Sequence, residues 1–448
     1  MKHLKGFLSF AFNFYSDFHW TDLLLQKKNV LIRYINIPIT PKKNNPTLAI
    51  KLPEKKNKQT LSFILLLLSL LLTNSVAHSA AIAIYSDSTK NISIGGQIQI
   101  LEDNTNKLSI HEAASSDSYK TTTLEVPNLG VSNSSFWLKI SIKNTSDEGR
   151  LLLELLHPIM DEVELYSPTL VNDSFSVIKT GDNYNFHDRK YDSQNFIFDI
   201  NIPKNESRTY YMKIKSGELI VVPIRIGTSQ TIFESNLIKD VLFGIYFGVI
   251  LSMFLYNLFI YFTVRDKSYL FYITYVIFIA LTQAALQGYT FKYLWPGSPW
   301  FANHSITLFP SIAGFATVGF IRSFLQSKKI VPKLDWGLNI IVLIYILSLI
   351  ANFILNNQNL SYNLIDLDAT LISLYALIIA IVIAIKGYRS AKFFLLAWTV
   401  FLIGVIGFVL KSVGVLPNNN FTDYTMSAGT TLEVLLFSFA LADRINIL

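Results

Sequence analysis

From Ile92 onward, polar and apolar positions alternate with a period of two, the signature of half-buried strands. Phe136, Leu138, Ile140 and Ile142 share one face, while Lys139, Ser141 and Lys143 share the other. Phe196, Phe198, Ile200 and Ile202 repeat the pattern, as do Tyr210, Met212 and Ile214, then Val222, Ile224 and Ile226. Leu151 to Leu156 is apolar at every position but Glu154, close to what a strand buried on both faces would show. Polar clusters such as Asn144-Thr145-Ser146-Asp147-Glu148-Gly149 and Gly181-Asp182-Asn183 break the runs. Many short strands with polar turns predict an antiparallel β-sandwich, jelly-roll-like, over residues 82–228.

The period then changes. After a linker at 229–240, apolar runs of span length follow one another at about 241–263, 269–287, 304–324, 337–355, 365–385, 393–415 and 424–442. The fifth and seventh carry Asp366, Asp368 and Glu433, so six spans remain an alternative to seven. The expected fold class is a multi-domain membrane protein, with an extracytoplasmic sandwich followed by an all-α seven-helix bundle over 241–443 and a short cytoplasmic end at 444–448.

Upstream, Leu61 to Leu72 is a short apolar run behind Lys51, Lys55, Lys56 and Lys58, and Thr73 to Ala81 is small and polar. This is the layout of a secretory signal peptide, placed at 51–81, with cleavage after Ala77, Ser79 or Ala81. An uncleaved N-terminal anchor is the alternative. Residues 1–50 exceed any signal peptide, which runs about 15–30 residues in all. The expectation is an extension that is not translated, with the start near Ile50 or Leu52.

Composition sharpens this picture. Only 15% of the 448 residues are charged, against roughly 25% in a soluble chain. There is no cysteine, which removes disulfides, thiolate catalysis and Cys-ligated metal. The net charge of +7 is not one basic surface. Residues 1–60 hold 11 basic and 3 acidic side chains, residues 81–236 hold 14 and 20, and residues 237–448 hold 13 and 8. A nucleic-acid partner drawn from the pI alone fails on that division.

The breaks between spans set the orientation. With the sandwich outside, ten Lys/Arg fall inside, among them Arg265, Lys328, Lys386 and Arg389. Three fall outside: Lys239, Lys292 and Lys411. The C-terminus is therefore expected inside. Trp295, Trp300 and Trp336 fall near the proposed interfaces, where aromatic anchors belong.

Candidate chemistry is sparse. His111, His157 and His187 lack metal-ligand spacing, and no nucleophile motif or phosphate loop occurs. No catalytic residue, metal or cofactor is expected, and the many carboxylates of the sandwich read as a solvated surface. Tyr166, Asp182, Tyr184, Phe186, Arg189 and Tyr191 gather in sequence around one turn and suit a small ligand such as a sugar. Ordinary core aromatics are the competing reading. In the seventh run Glu433 is an ionisable group at membrane depth, a candidate for signal transmission or a structural helix tie. Asp366 and Asp368 are expected within reach of water at the outer end of the fifth span. Gly244 and Gly248 form a GxxxG, a candidate helix contact. No inverted repeat of the kind transporters show is visible.

Specific strings add a resemblance. Gly244-Ile-Tyr-Phe-Gly248 through Tyr256-Asn257-Leu258-Phe259 to Arg265-Asp266-Lys267-Ser268-Tyr269 resembles the start of the membrane domain of the bacterial seven-transmembrane receptors with diverse intracellular signalling modules. So do Phe393-Phe394-Leu395-Leu396-Ala397-Trp398, and Glu433 followed by Ala440-Leu441-Ala442-Asp443-Arg444-Ile445. In the sandwich, Phe136-Trp137-Leu138, Asp161 to Tyr166, and Gly181-Asp182 with Phe186 and Arg189 are similar to that family's extracellular domain; where the family has a proline before the phenylalanine, this chain has Asn185.

The resemblance implies a sensory receptor of the bacterial inner membrane. Its sandwich would bind a small, carbohydrate-like ligand, and Glu433, Asp443 and Arg444 would pass the signal inward. Its partners would be the lipid bilayer, that ligand, a second copy of the chain and a cytoplasmic signalling protein. Family members usually continue into a kinase or cyclase. Here the expectation is a chain ended before its output module, or an output on a separate protein. A solute transporter and a membrane-tethered carbohydrate-binding protein are the alternatives.

Overall fold

The computed structural model describes residues 82–88, 91–169, 174–412, 416, 422 and 424–445. The N-terminal extension at 1–50 and the signal-peptide region at 51–81 lie outside the described residues.

The sandwich is built from β1 (Ala83–Tyr85), β2 (Asn91–Ser93), β3 (Gln99–Asp103), β4 (Lys120–Thr121), β5 (Asn128–Val131), β6 (Ser135–Asn144), β7 (Arg150–Leu155), β8 (Glu162–Pro168), β9 (Phe175–Thr180), β10 (Phe196–Asn201), β11 (Ser207–Lys215), β12 (Leu219–Val221) and β13 (Ile224–Gly227). One sheet runs β4-β3-β6-β11-β8-β9, with β1 parallel to the C-terminal end of β6. The second runs β10-β7-β13-β2, and β5 with β12 makes a short ribbon. The inward positions follow the period of two. Phe136, Leu138, Ile140 and Ile142 of β6 meet Leu151, Leu153 and Leu155 of β7 in one buried cluster. Each such side chain contributes about 1.5–3 kcal/mol on burial.

Both outer faces are covered in part. Trp137 and Tyr211 lie beneath the short helix α1 (Ile110–Ser115), which opens with a Ser109–Glu112 capping box. On the second sheet, Leu152 and Ile197 pack against Ile232 of the first long helix. That cover is why Leu152 is apolar on the outward face of β7, where Glu154 is also buried.

Among the described residues, seven helices are long and apolar enough to cross a membrane. They are α2 (Ser229–Val264), α3 (Lys267–Leu286), α5 (Pro299–Phe324), α7 (Pro332–Phe353), α8 (Gln358–Ile385), α9 (Arg389–Ser412) and α10 (Thr425–Ile445). The short α4 (Tyr289–Tyr293) follows α3, and the short α6 (Ser327–Ile330) follows α5. The expected linker at 229–240 is instead the first third of α2. Thr228 caps it, accepting from the Thr231 amide. At about 1.5 Å per residue its 36 residues reach about 54 Å, beyond a hydrocarbon core of about 30 Å. Helix α2 therefore carries the sandwich and crosses the membrane as one rod.

The GxxxG expectation is corrected. A side chain added at Gly244 or Gly248 would meet nothing within 4 Å in this chain. The close approach is between α9 and α10, where a Cβ on Gly404 would lie 2.6 Å from the Thr425 carbonyl oxygen and 3.0 Å from the Gly429 Cα. Trp300 and Trp336 are exposed, as interfacial anchors are, whereas Trp295 packs on Phe301 and Phe309.

Candidate functional site

Strand β13 runs straight into α2, and a buried polar knot fixes the angle between them. Glu154 of β7 is fully buried and accepts from Arg225 Nε at 2.6 Å. The same guanidinium donates to Ser235 Oγ at 2.6 Å and Asn236 Oδ1 at 2.7 Å on α2. Asn195 and Asn236 donate back to Glu154 at 2.7 and 2.9 Å. A buried carboxylate without such partners costs several kcal/mol. The expectation that the sandwich carboxylates form a solvated surface is thus corrected at Glu154, and again at Asp161, Asp182 and Glu218, all buried.

Beside this knot lies an open groove of about 510 Å³ between the 192–194 loop and α2. Gln194, Phe233, Glu234, Asn236 and Asp240 help to line it. Asp240 accepts from Gln194 at 2.9 Å and from the Tyr289 hydroxyl at 2.7 Å, which ties sandwich, α2 and α4 together at one carboxylate. The volume is that of a small-ligand site, with amide and carboxylate groups beside an aromatic ring.

The six residues expected at a ligand turn do not gather in one pocket. Tyr166 sits on the outer face of the first sheet, 5.3 Å from Trp137 between ring centroids, with its hydroxyl donating to Glu164. Tyr184 is exposed. Tyr191 packs on Phe233, a groove residue, at 5.8 Å. Phe186 is buried against Phe291 of α4. Arg189 lies over Phe186 and Phe196 at 4.6 and 4.4 Å and donates to the Ser193 and Gln194 carbonyls. Asp182 is buried next to Asn303 of α5. Phe186, Arg189 and Asp182 thus belong to the seat of the sandwich on the helices. Gly181 makes the turn possible: its φ is +148°, and a Cβ there would fall 2.0 Å from the Asp161 carbonyl oxygen.

Within the bundle Glu433 is fully buried. Tyr275 of α3 donates to both of its oxygens, at 3.0 and 2.9 Å. One turn along α10, Ser438 accepts from Asn257 of α2 at 2.9 Å and lies 3.0 Å from the Tyr272 hydroxyl. Tyr272 also donates to the Val434 carbonyl at 2.5 Å. The helix that carries the sandwich is therefore hydrogen-bonded, at its inner half, to the helix that carries Glu433. Asp443 ends this helix in an ion pair with Arg389 of α9 at 2.7 Å. Arg444 lies in the same helix, and its side chain is outside the described residues. Asp366 is exposed as expected, but Asp368 is fully buried with neither oxygen hydrogen-bonded, which corrects the expectation that water reaches both.

Sequence reasoning did not single out Arg225, Asn236, Asp240, Tyr275, Asn257 or Ser438. Asn257 and Asn236 carried one signal, an amide inside a long apolar helix. Tyr275 carried none, because tyrosine is common in spans.

Two family models match the chain. One is described as 7TM diverse intracellular signalling and covers residues 239–444. The other is described as 7TMR-DISM extracellular 2 and covers residues 95–228. No curated protein matches the chain.

Proposed function

We propose a sensing function from the premise that the chain belongs to the 7TMR-DISM family, seven-transmembrane receptors with diverse intracellular signalling and an extracellular domain. It is a multi-pass membrane receptor with its sandwich outside. The finer reading is that a small, carbohydrate-like ligand enters the groove beside Tyr191 and Phe233. By bridging the 192–194 loop and α2 it biases the angle that Arg225 and Glu154 hold. Helix α2 carries that bias to Asn257 and Ser438, and α10 delivers it to the Asp443–Arg389 pair at the inner end. The membrane is read as the bacterial inner membrane, the C-terminus as cytoplasmic, and the listener as a signalling module that is joined to the chain or separate from it.

The observation that carries this reading is the continuity of α2, which is at once a wall of the groove and a partner of the Glu433 helix. A carrier would need substrate to pass between the helices, and the groove lies outside them.

The test uses the full chain in nanodiscs. A panel of mono- and disaccharides is screened by thermal shift, and any binder is tested against Phe233→Ala and Asp240→Asn. The expected result is a shift in the unaltered protein that both variants reduce at least tenfold in affinity. Binding unaffected by either variant removes the groove from the reading. Uptake of the same sugar into proteoliposomes would replace the receptor with a carrier.

A further inference from the structure

The seat of the sandwich on the helices holds three carboxyl groups from three separate loops. Asp161 follows β7, Asp182 follows β9 and Glu218 precedes β12. All are at least nine-tenths buried. Asp161 accepts from the Gly217 amide at 2.9 Å with one oxygen and has no donor for the other, Oδ1. The Asp182 carboxyl lies within hydrogen-bonding reach of it. Glu218 accepts from Ser216 at 2.7 Å. Two carboxylates cannot face each other in a dry site without sharing a proton.

The helices close this cluster from outside. Asn303 of α5 turns its amide nitrogen to Asp182, 3.2 Å away, with its amide oxygen towards Asn183. Gly217 abuts Gln358 of α8, whose neighbour Asn359 hydrogen-bonds Asn133 of the sandwich. Ile159 packs among Ala285, Ile306 and Phe309. The carboxyl groups are therefore dry only while the sandwich is seated.

The charges that bear on them are few. Glu162 and Lys215 act on Asp161 from β8 and β11. Arg189 acts on Asp182. From α8, Tyr362 faces Glu218, with Asp366 beyond it. His157 bonds to the Leu219 carbonyl and is held neutral by burial, down to about 4. One guanidinium and one lysine cannot offset three buried carboxylates. Among the described residues no group of His, Asp or Glu is placed to hold a metal ion, so a bound cation does not resolve the excess.

We propose that Asp161, Asp182 and Glu218 form a proton-operated latch: with protons bound, the sandwich stays seated on α5 and α8, and loss of those protons releases it. The receptor would thus answer to external pH as well as to a ligand.

The direction follows from linkage. Burial pushes Asp161 up to about 6. Burial, then the charge of Asp161, pushes Asp182 well above the carboxylate range, and Arg189 pulls against this. Burial, then Asp161 and Asp182, does the same to Glu218. Below the free value of about 4, seated and released forms are equally protonated and the seat is at full strength. As pH rises from about 4 through about 6 the Asp161 contribution is lost, and those of Asp182 and Glu218 weaken in the same sense from about 4 upward. Each unit in that interval weakens seating about tenfold per carboxyl.

The chain has no cysteine, so two can be introduced for spin labels. Val177→Cys on β9 and Leu355→Cys between α7 and α8 are exposed sites on either side of the seat. The label-to-label distance is read in nanodiscs from pH 5 to 9. It should lengthen or broaden as pH rises, and stay short throughout in Asp161→Asn/Asp182→Asn/Glu218→Gln. No change in the parent protein, or the same change in the triple variant, overturns the latch. If the triple variant does not fold, Asp182→Asn alone decides: it should open less over the same range, and an unchanged response is equally fatal.

Discussion

Glu433 distinguishes two roles by the two ways of replacing it. Glutamine keeps an oxygen to accept from Tyr275, so Glu433→Gln should retain most of the thermal stability of the full chain in detergent. Alanine strands the Tyr275 hydroxyl in a dry bundle, at about 1–3 kcal/mol. A Gln variant that is stable yet no longer transmits the ligand response assigns the carboxyl to signalling. A Gln variant that responds fully leaves it as a helix tie. Arg225 is a sharper case. Arg225→Ala leaves Glu154 buried without its cation and frees Ser235 and Asn236, a loss of about 3–5 kcal/mol. Tryptophan fluorescence against denaturant should show the sandwich transition first to move. A shift under about 1 kcal/mol would mean that water reaches Glu154 and that the knot does not set the joint.

Helix α2 and the α9–α10 pair dominate at the scale of elements. Because α2 is a continuous rod, its register couples the sandwich to the membrane. Two glycines inserted after Lys239 would turn the upper part by about 200° and soften it. Asp240 would then leave Gln194 of the sandwich. Sugar binding at the sandwich is expected to weaken together with any change at the inner end, as read by labels at Lys328→Cys and Lys392→Cys. Transmission that survives the insertion would show that the seat at α5 and α8, not α2, carries the signal. At the other contact, Gly404→Leu has no room against Thr425 and Gly429 and should part α9 from α10. Gly244→Leu meets nothing in the chain and should leave the melting temperature within a few degrees.

For the whole molecule, the sidedness of charge makes a simple forecast. A cysteine at Tyr184, exposed on the sandwich, should react with an impermeant maleimide in intact spheroplasts. One at Lys392 should react only after the membrane is opened. The reverse pattern would invert the topology and place the latch in the cytoplasm, where external pH cannot reach it. Several of the basic residues expected inside also have local partners. Arg322 pairs with Asp335 at 3.3 Å, Lys386 donates to the Ile330 carbonyl at 2.7 Å, and Arg389 holds Asp443. They brace the helix ends.

The alternation of Phe136 to Ile142, the seven apolar runs and the lone glutamate at Glu433 were all legible along the chain, because solvent sorts side chains by local period and by span length. Family resemblance was legible in the same way, through strings such as Tyr256-Asn257-Leu258-Phe259. What the sequence could not show was who meets whom across the two domains. Tyr166 and Arg189 are neighbours in pattern but not in space, whereas Asp161, Asp182 and Glu218 are distant in the chain and share one dry seat. Their burial is made by α5 and α8, whose own residues Asn303 and Gln358 look unremarkable in sequence. A carboxylate on a turn reads as solvated until another element arrives to exclude the water. Tertiary structure alone decides that, because desolvation is a property of the contact and not of the residue.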